Sequence, residues 1–534
     1  MSIKVVDGFN FDNIKNELFK LGKEGRCLIS IVDFIFSDCI QDLMDDLNSN
    51  FSSNYGNKAY PREMLLGIIL YCFHLHKHNL SDFAFECKVN GVLKVFTCGK
   101  SPSHSTLKRF LTDSDELILK KVFLYTLVQL NELDFLKFLK AFIDGTDGLV
   151  NGSKYYSLSR DELKALKLMK KWELKHDNSQ SSKNRVKNEL LKKQKEYCEN
   201  EEIKDLIKII LNRLDFYNKK TFKKIKQFKK AFKETDKDII SITFDSAVMM
   251  PTKKGNYDFG FNIQEIMSEN KIVITGLLLN HPNDNHAIDK VLIELKENFI
   301  ILRELIEKYG SRRNYKEIEK MLEKAILVFD SGYFSDTNLE SLEKHEINGL
   351  IMPKIIAKQN NNKIRKENNL PTKGKPKNNK KFSKKDFTRI KNGYICKNNQ
   401  KLKLTEIKPI QSRKNKEKGI NDSNLKEQSY IHKCTACPTC QYKDKCLENS
   451  EIKTITDRIT PLKYKMINKF TEQRTLNTYG ERFPANEGIN GYLKNTHGIL
   501  HLLGSNKNAI KNEIHLKNTM YNLTRLKSLK DTAY

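Results

Sequence analysis

Four carboxylates in this chain stand where short apolar runs or turns would offer them to a ligand. Asp330 closes the run 325–329 and is followed by Ser331 and Gly332, and Asp144 closes 141–143 ahead of Gly145. Asp245 ends the run 239–244, and Glu487 sits in Arg482-Phe-Pro-Ala-Asn-Glu-Gly-Ile-Asn-Gly-Tyr-Leu-Lys494. An apolar run bounded by a turn signal suits a buried strand, and open α/β sheets place ligands at the carboxyl ends of their strands. A carboxylate there is a candidate metal ligand or general base. The alternative is a helix cap, since Asp330 or Ser331 could cap a helix starting near Ser335. Two-metal phosphoryl chemistry needs acidic oxygens converging on cations about 3.5–4 Å apart. On a helix, Glu487 and Lys494 would share one face, a carboxylate for metal and an ammonium for phosphate.

A second constellation is Cys434-x2-Cys437-x2-Cys440-x5-Cys446, with His432 and Cys396 nearby in sequence. Eleven cysteines in 534 residues are no disulfide framework. Such spacing suits a tetrahedral structural Zn²⁺ site, with an iron–sulfur cluster and no metal as the alternatives. Cys27, Cys39, Cys72, Cys87, Cys98 and Cys198 read as small apolar residues.

The elements that must position these groups follow from the apolar pattern. Helical pieces fill 11–47, and Pro61 opens a strongly apolar helix. Further short helices cover 81–90 and 105–111, the latter carrying Lys108 and Arg109. Short helices with sharp turns suit helix-turn-helix docking on DNA or a plain bundle. Residues 157–238 read as one or two long lysine-rich helices, in which Trp172 either packs or stacks on a base. Strands are expected at 259–267 and 272–279 around a turn at Glu269-Asn270, then a helix over 284–308. The Asp330 strand, a helix over 335–344 and a strand at 349–353 complete this part. The succession of three strands, helix, strand, helix, strand is the mixed α/β order of an RNase H-like core. From Lys354 to Gly419, Asn, Lys, Pro and Gly dominate, which predicts loop.

The formal net charge is +29. Residues 354–418 hold 22 Lys/Arg against 4 Asp/Glu, and residues 157–238 hold 24 against 14. Charge confined to two segments implies a polyanionic partner, nucleic acid foremost, over a merely solvated surface. No apolar run approaches the roughly 18 residues of a membrane span, and no leader pattern opens the chain, so it reads as soluble and intracellular.

The ordered motifs resemble insertion-sequence transposases of the DDE class. Tyr60-Pro-Arg-Glu-Met-Leu-Leu-Gly through Arg109-Phe110 resembles their helical N-terminal domain. Ile143-Asp144-Gly-Thr146 resembles the first-aspartate motif, and Phe329-Asp330-Ser-Gly-Tyr333 the second. Tyr479, Arg482, Glu487 and Lys494 resemble the signature around the third acid. Phe261-Asn262-Ile-Gln264 and Asn283-Asp284 match intermediate blocks. Four residues separate Arg482 from Glu487 where the signature commonly has three, and Asn486 replaces a commonly apolar residue.

The resemblance implies an all-α N-terminal DNA-binding domain over 1–130. It implies an RNase H-like core from 131 to 353, interrupted by the basic insertion 157–238. A Cys-containing insertion over 354–460 and C-terminal helices over 461–534 would follow. It implies Asp144, Asp330 and Glu487 holding two Mg²⁺ (or Mn²⁺) ions, with Asp245 an accessory polar residue. Tyr479, Arg482, Lys494, Lys108 and Arg109 would bind double-stranded DNA, both terminal inverted repeats and target. A homodimer in a bacterial cytoplasm, associated with the nucleoid, is the expected setting. A catalytically inactive relative that only binds DNA is the alternative.

Overall fold

The runs ending in Asp144 and Asp330 become neighbouring strands. The computed structural model describes residues 11–533 apart from 50–58, 151–156, 236–237, 245, 252–255, 311–314, 369–381, 411–425, 448–449, 483–497 and 499–500. In chain order the strands of its first part are β1 (Lys140–Val150), β2 (Ser157–Ser159), β3 (Ile239–Ser241), β4 (Val248–Pro251), β5 (Tyr257–Ser268), β6 (Val273–Leu279), β7 (Ile326–Phe329) and β8 (Asn348–Ile351). The main sheet runs β4-β5-β1-β7-β8, with β6 also on β5. The pairs β1–β5 and β5–β6 are antiparallel, whereas β1–β7 and β7–β8 are parallel. Leu327, Val328 and Phe329 are wholly buried, as a strand covered on both faces requires.

The expected hairpin forms, β5 turning into β6 around Glu269-Asn270. Asp144, expected at a strand end, is instead internal to β1. Antiparallel pairing with β5 carries the strand on from Ala141 to Leu149, while its parallel pairing with β7 stops at Ile143. The run at 239–244 is not a core strand either. It gives only β3, paired with β2 in a separate two-stranded sheet, and Asp245 lies outside the described residues.

The first part begins with α1 (Phe11–Lys20), α2 (Gly22–Ile35), α3 (Asp38–Ser49), α4 (Arg62–His74), α5 (Leu80–Val89), α6 (Gly91–Phe96), α7 (His104–Asp113) and α8 (Glu116–Glu132). Every residue of α4 from Met64 to Phe73 is buried. One continuous apolar core runs from Ile14 through the main sheet to Leu526. The basic segment folds into α9 (Arg160–Lys171), α10 (Gln180–Glu196), α11 (Glu201–Asn212), α12 (Lys219–Lys223) and α13 (Ile225–Thr235), not one or two long helices. Ser159, Ser179, Asn200 and Asn218 each accept a first-turn N–H, and every such cap starts a new helix. These helices enclose their own apolar core around Leu166, Leu190, Ile210 and Phe228. Trp172 packs against it and stacks on Tyr197 at 5.8 Å.

Next come α14 (Ile288–Tyr309), α15 (Tyr315–Lys324), α16 (Asp336–Lys344) and α17 (Lys354–Glu367). The stretch expected to be loop holds α17 and the first three strands of a second sheet. That sheet comprises β9 (Thr388–Ile390), β10 (Gly393–Ile395), β11 (Lys401–Pro409), β12 (Gln428–Lys433) and β13 (Thr454–Ile459), all antiparallel. Lys401, Leu402, Lys403 and Leu404 alternate polar and apolar, the period of a half-exposed strand, which bulk lysine content conceals. The chain closes with α18 (Lys443–Cys446), α19 (Pro461–Lys469), α20 (Gln473–Gly480), the short β14 (His501–Leu502) on β1, and α21 (Lys507–Ala533). Helix α21 packs on α4, α7, α8 and β6 and so ties the first helices to the sheet. No helix among the described residues is long and apolar enough to cross a membrane.

Candidate active site

Register puts two of the three expected acids together. Ile143 lies opposite Phe329 on parallel β1 and β7, so Asp144 and Asp330 leave that pairing at the same level. Asp330 does not cap the following helix. Its side chain makes no cap bond, and the Ser335 hydroxyl accepts from the Asn338 N–H to start α16.

Arg482 bridges the pair from the far end of the sequence. Its Nη2 donates to Asp144 Oδ1 at 3.2 Å, and Nη1 lies 3.6 Å from Asp330 Oδ1, an ion-pair distance. The guanidinium is 13% exposed, against 22% for the Asp144 side chain and 45% for that of Asp330. The end of α20 delivers it, because Glu481 pairs with Lys140 Nζ at 2.6 Å at the start of β1. Tyr479, on the same helix, packs edge-on against buried Phe470, with Asp330, Asp144 and Arg482 close enough to influence its phenol. Burial pushes the Tyr479 phenol up to about 12, and the nearby carboxylates add to that while Arg482 opposes it.

A polar network underlies the pair. Asn262 and Gln264 project from β5, where buried Glu265 follows them opposite Asp144, and both donate to Asp284 Oδ1 at 2.9 Å. The Gln264 amide nitrogen also donates to Asn262 Oδ1 at 2.7 Å, and its oxygen accepts from the Tyr333 hydroxyl. Gln264 and Tyr333 are fully buried. Burial, then the charges of Asp284 and Asp144, hold the Tyr333 phenol well above its ordinary range. Asn262, Gln264 and Asp284 fall in the intermediate motif blocks, to which the resemblance assigns no role. Two amides at i and i+2, separated by a buried isoleucine, were the available signal.

The remaining expected site residues are distributed differently. Glu487 and Lys494 lie outside the described residues. Lys108 and Arg109 are exposed on α7, whose buried side includes Leu107 and Phe110. Cys434, Cys437 and Cys446 are buried in the core of the second sheet, with Cys440 and Cys396 partly exposed. Burial, reinforced by the adjacent Cys437, pushes the Cys434 thiol up to about 11. Both ring nitrogens of His432 are engaged away from the thiols, with Ile455 O at 3.2 Å and with Arg389 and Tyr464 at 3.4 Å. Among the described residues no three His, Cys, Asp or Glu side chains converge as a metal ion requires, so the zinc expectation receives no geometric support.

Two carboxylates on adjacent strands are a hard-oxygen donor set, suited to Mg²⁺ or Mn²⁺ and incomplete without a further acid. Residues 395–527 match the family model described as a transposase DDE domain. The matched stretch contains Tyr479 and Arg482 and stops short of Asp144 and Asp330. Comparison with curated proteins gives no match.

Proposed function

Because residues 395–527 match a transposase DDE domain, we propose that this chain is a DDE-class transposase that cuts and joins DNA at the ends of a mobile element. Asp144, Asp330 and Glu487 are its three acids in this reading. The observation that carries it is the pairing of Asp144 with Asp330 at one level of two parallel strands, under a shared Arg482. The strand order β6-β5-β1-β7-β8, with its two antiparallel and two parallel pairings, supports reading 131–353 as an RNase H-like core. The helices within the first 130 residues, the inserted helices 157–238 and the second sheet within 354–460 are then DNA-facing additions, the last two carrying the excess positive charge.

Two divalent cations, when bound, supply a water nucleophile at neutral pH and stabilise charge on the transferring phosphate. The chain's own residues do the rest. Asp144, Asp330 and Glu487 would hold the cations. Tyr479, beside the pair, would contact the DNA near the cut end. Arg482 turns from the carboxylates to a phosphate near the cut end, where Lys494 joins it. Lys108 and Arg109 on α7 grip the duplex backbone. Hydrolysis frees a 3′-hydroxyl at the transposon end, and that hydroxyl attacks target DNA in line, with no covalent protein intermediate. Paired ends call for a homodimer.

The test is a duplex carrying the element's terminal inverted repeat, incubated with purified protein and Mg²⁺. Nicking at the end is expected, with a loss on the order of a thousandfold in Asp330→Ala, the several kcal/mol of cation-held charge stabilisation. Tight binding without nicking by the unsubstituted protein would sink the reading.

A further inference from the structure

Besides Glu265, buried and opposite Asp144 across the β1–β5 pairing, Asp284 is a further carboxylate of this neighbourhood, and two glycines let it approach. A Cβ on Gly145, the residue after Asp144, would meet Asp284 Oδ1 at 2.8 Å and Gln264 Nε2 at 2.7 Å. One on Gly332, two residues after Asp330, would meet Asp284 Oδ2 at 3.5 Å. The carboxylate therefore lies between the backbones that carry the two candidate acids. The segment holding it is pinned, since Asn338, fully buried, donates to the Asp284 carbonyl at 2.7 Å and accepts from the Ile288 N–H. Ser335 donates to the Asn285 carbonyl at 2.6 Å.

Charge separates Asp284 from an ordinary structural aspartate. Among the described residues, its side-chain hydrogen bonds all fall on Oδ1 and come from neutral amides. Asp144 and Asp330 share the Arg482 guanidinium. Asp284 adds a carboxylate between the backbones that carry them. It does not converge with Asp144 and Asp330 on one point, which argues against a direct third ligand.

We infer that Asp284 is a positioning carboxylate for divalent cations at this site. Its Oδ1 is clamped by Asn262 and Gln264, and Oδ2, facing the Asp330 turn, accepts from water carried by a cation on Asp144 and Asp330. This rests on reading those two aspartates as the cation-holding pair. Outer carboxylates of this kind typically change metal affinity by tenfold or more.

Calorimetric titration of the full chain with Mn²⁺ alone, without DNA, tests it. Asp284→Asn keeps the acceptor for the two amides and removes the charge. It is expected to weaken Mn²⁺ about tenfold at an unchanged thermal midpoint. Its nicking should recover at raised Mn²⁺, whereas that of Asp330→Asn should not. If Asp284→Asn fails to fold, Asp284→Ser leaves a hydroxyl for Asn262 and Gln264 and is read in the same way. Unchanged Mn²⁺ affinity in the folded variant, with affinity lost in Asp144→Asn and Asp330→Asn, overturns this inference alone. Unchanged affinity in all three variants overturns the reading of the pair as well.

Discussion

Two regions of this molecule set carboxylates against an arginine, and they do it in opposite proportions. In the second sheet one carboxylate meets two cations: Asp457 takes Arg389 Nη1 at 2.7 Å and also pairs with Lys384. The Tyr394 hydroxyl donates to it at 2.7 Å, and the Arg389 guanidinium lies over the rings of Tyr394 and Tyr464 at 4.9 and 5.0 Å. Asp457 is 7% exposed and Arg389 1%. At the mouth of β1 and β7 two carboxylates meet one arginine, and Asp330 is 45% exposed. The first arrangement satisfies its charge and locks a sheet to α19. Among the described residues the second sets two carboxylates against one guanidinium with Asp330 open to solvent, which suits a site for cations. An arginine–carboxylate contact alone says nothing of function; the ratio of charges and the access of water decide it.

The comparison breaks first at Asp457. Replacing it with alanine strands Arg389 in the interior and should cost about 3–5 kcal/mol of stability, the usual penalty for a buried charge that loses its partner. Asp330→Ala removes one of two like charges at a half-exposed site and should cost under about 1 kcal/mol. Urea unfolding of both variants reads the contrast, and equal losses would remove the distinction.

A smaller effect sharpens the other half. If Arg482 lies where cations would compete with it, Arg482→Gln should bind Mn²⁺ more tightly in the absence of DNA. About fivefold is expected, on the order of the 1 kcal/mol that a like charge costs at close range in a wet site. Affinity that is unchanged or weaker would mean the guanidinium supports the pair rather than screening it.

Much of the first sheet was legible because its strands are short apolar runs closed by punctuation. Asp330 could be read as the end of a strand from Ser331-Gly332 alone, and Ser335 supplied the cap that the rival reading assigned to Asp330. Asp144 was less legible, since an internal strand position depends on how far β5 runs beside it. The bridge from Arg482 spans 338 residues and Asp284 meets Gly145 only in the folded sheet, so no local pattern announces either. The second sheet was hidden by its own lysines. Composition over 354–418 said loop, while the alternation at 401–404 said strand, and the local period prevailed.

The smallest expected effect concerns pH and separates the two regions once more. Burial raises the Asp457 carboxyl, but Lys384, Tyr394 and Arg389 outweigh it, and the net shift is downward from 3.8. A carboxyl whose folded value is depressed contributes stability that is complete above its unfolded value, about 3.9. As pH falls through that range the unfolded chain takes up the proton first, so unfolding is favoured and the contribution is lost by the folded value. Asn at 457 resembles the protonated acid. The stability gap between the unsubstituted protein and Asp457→Asn should therefore be widest near neutrality and close progressively below about pH 4. Urea midpoints from pH 7 to 3 measure it. Parallel curves would show that Asp457 is not held ionised by its partners, and the contrast with the half-exposed pair would then rest on burial alone.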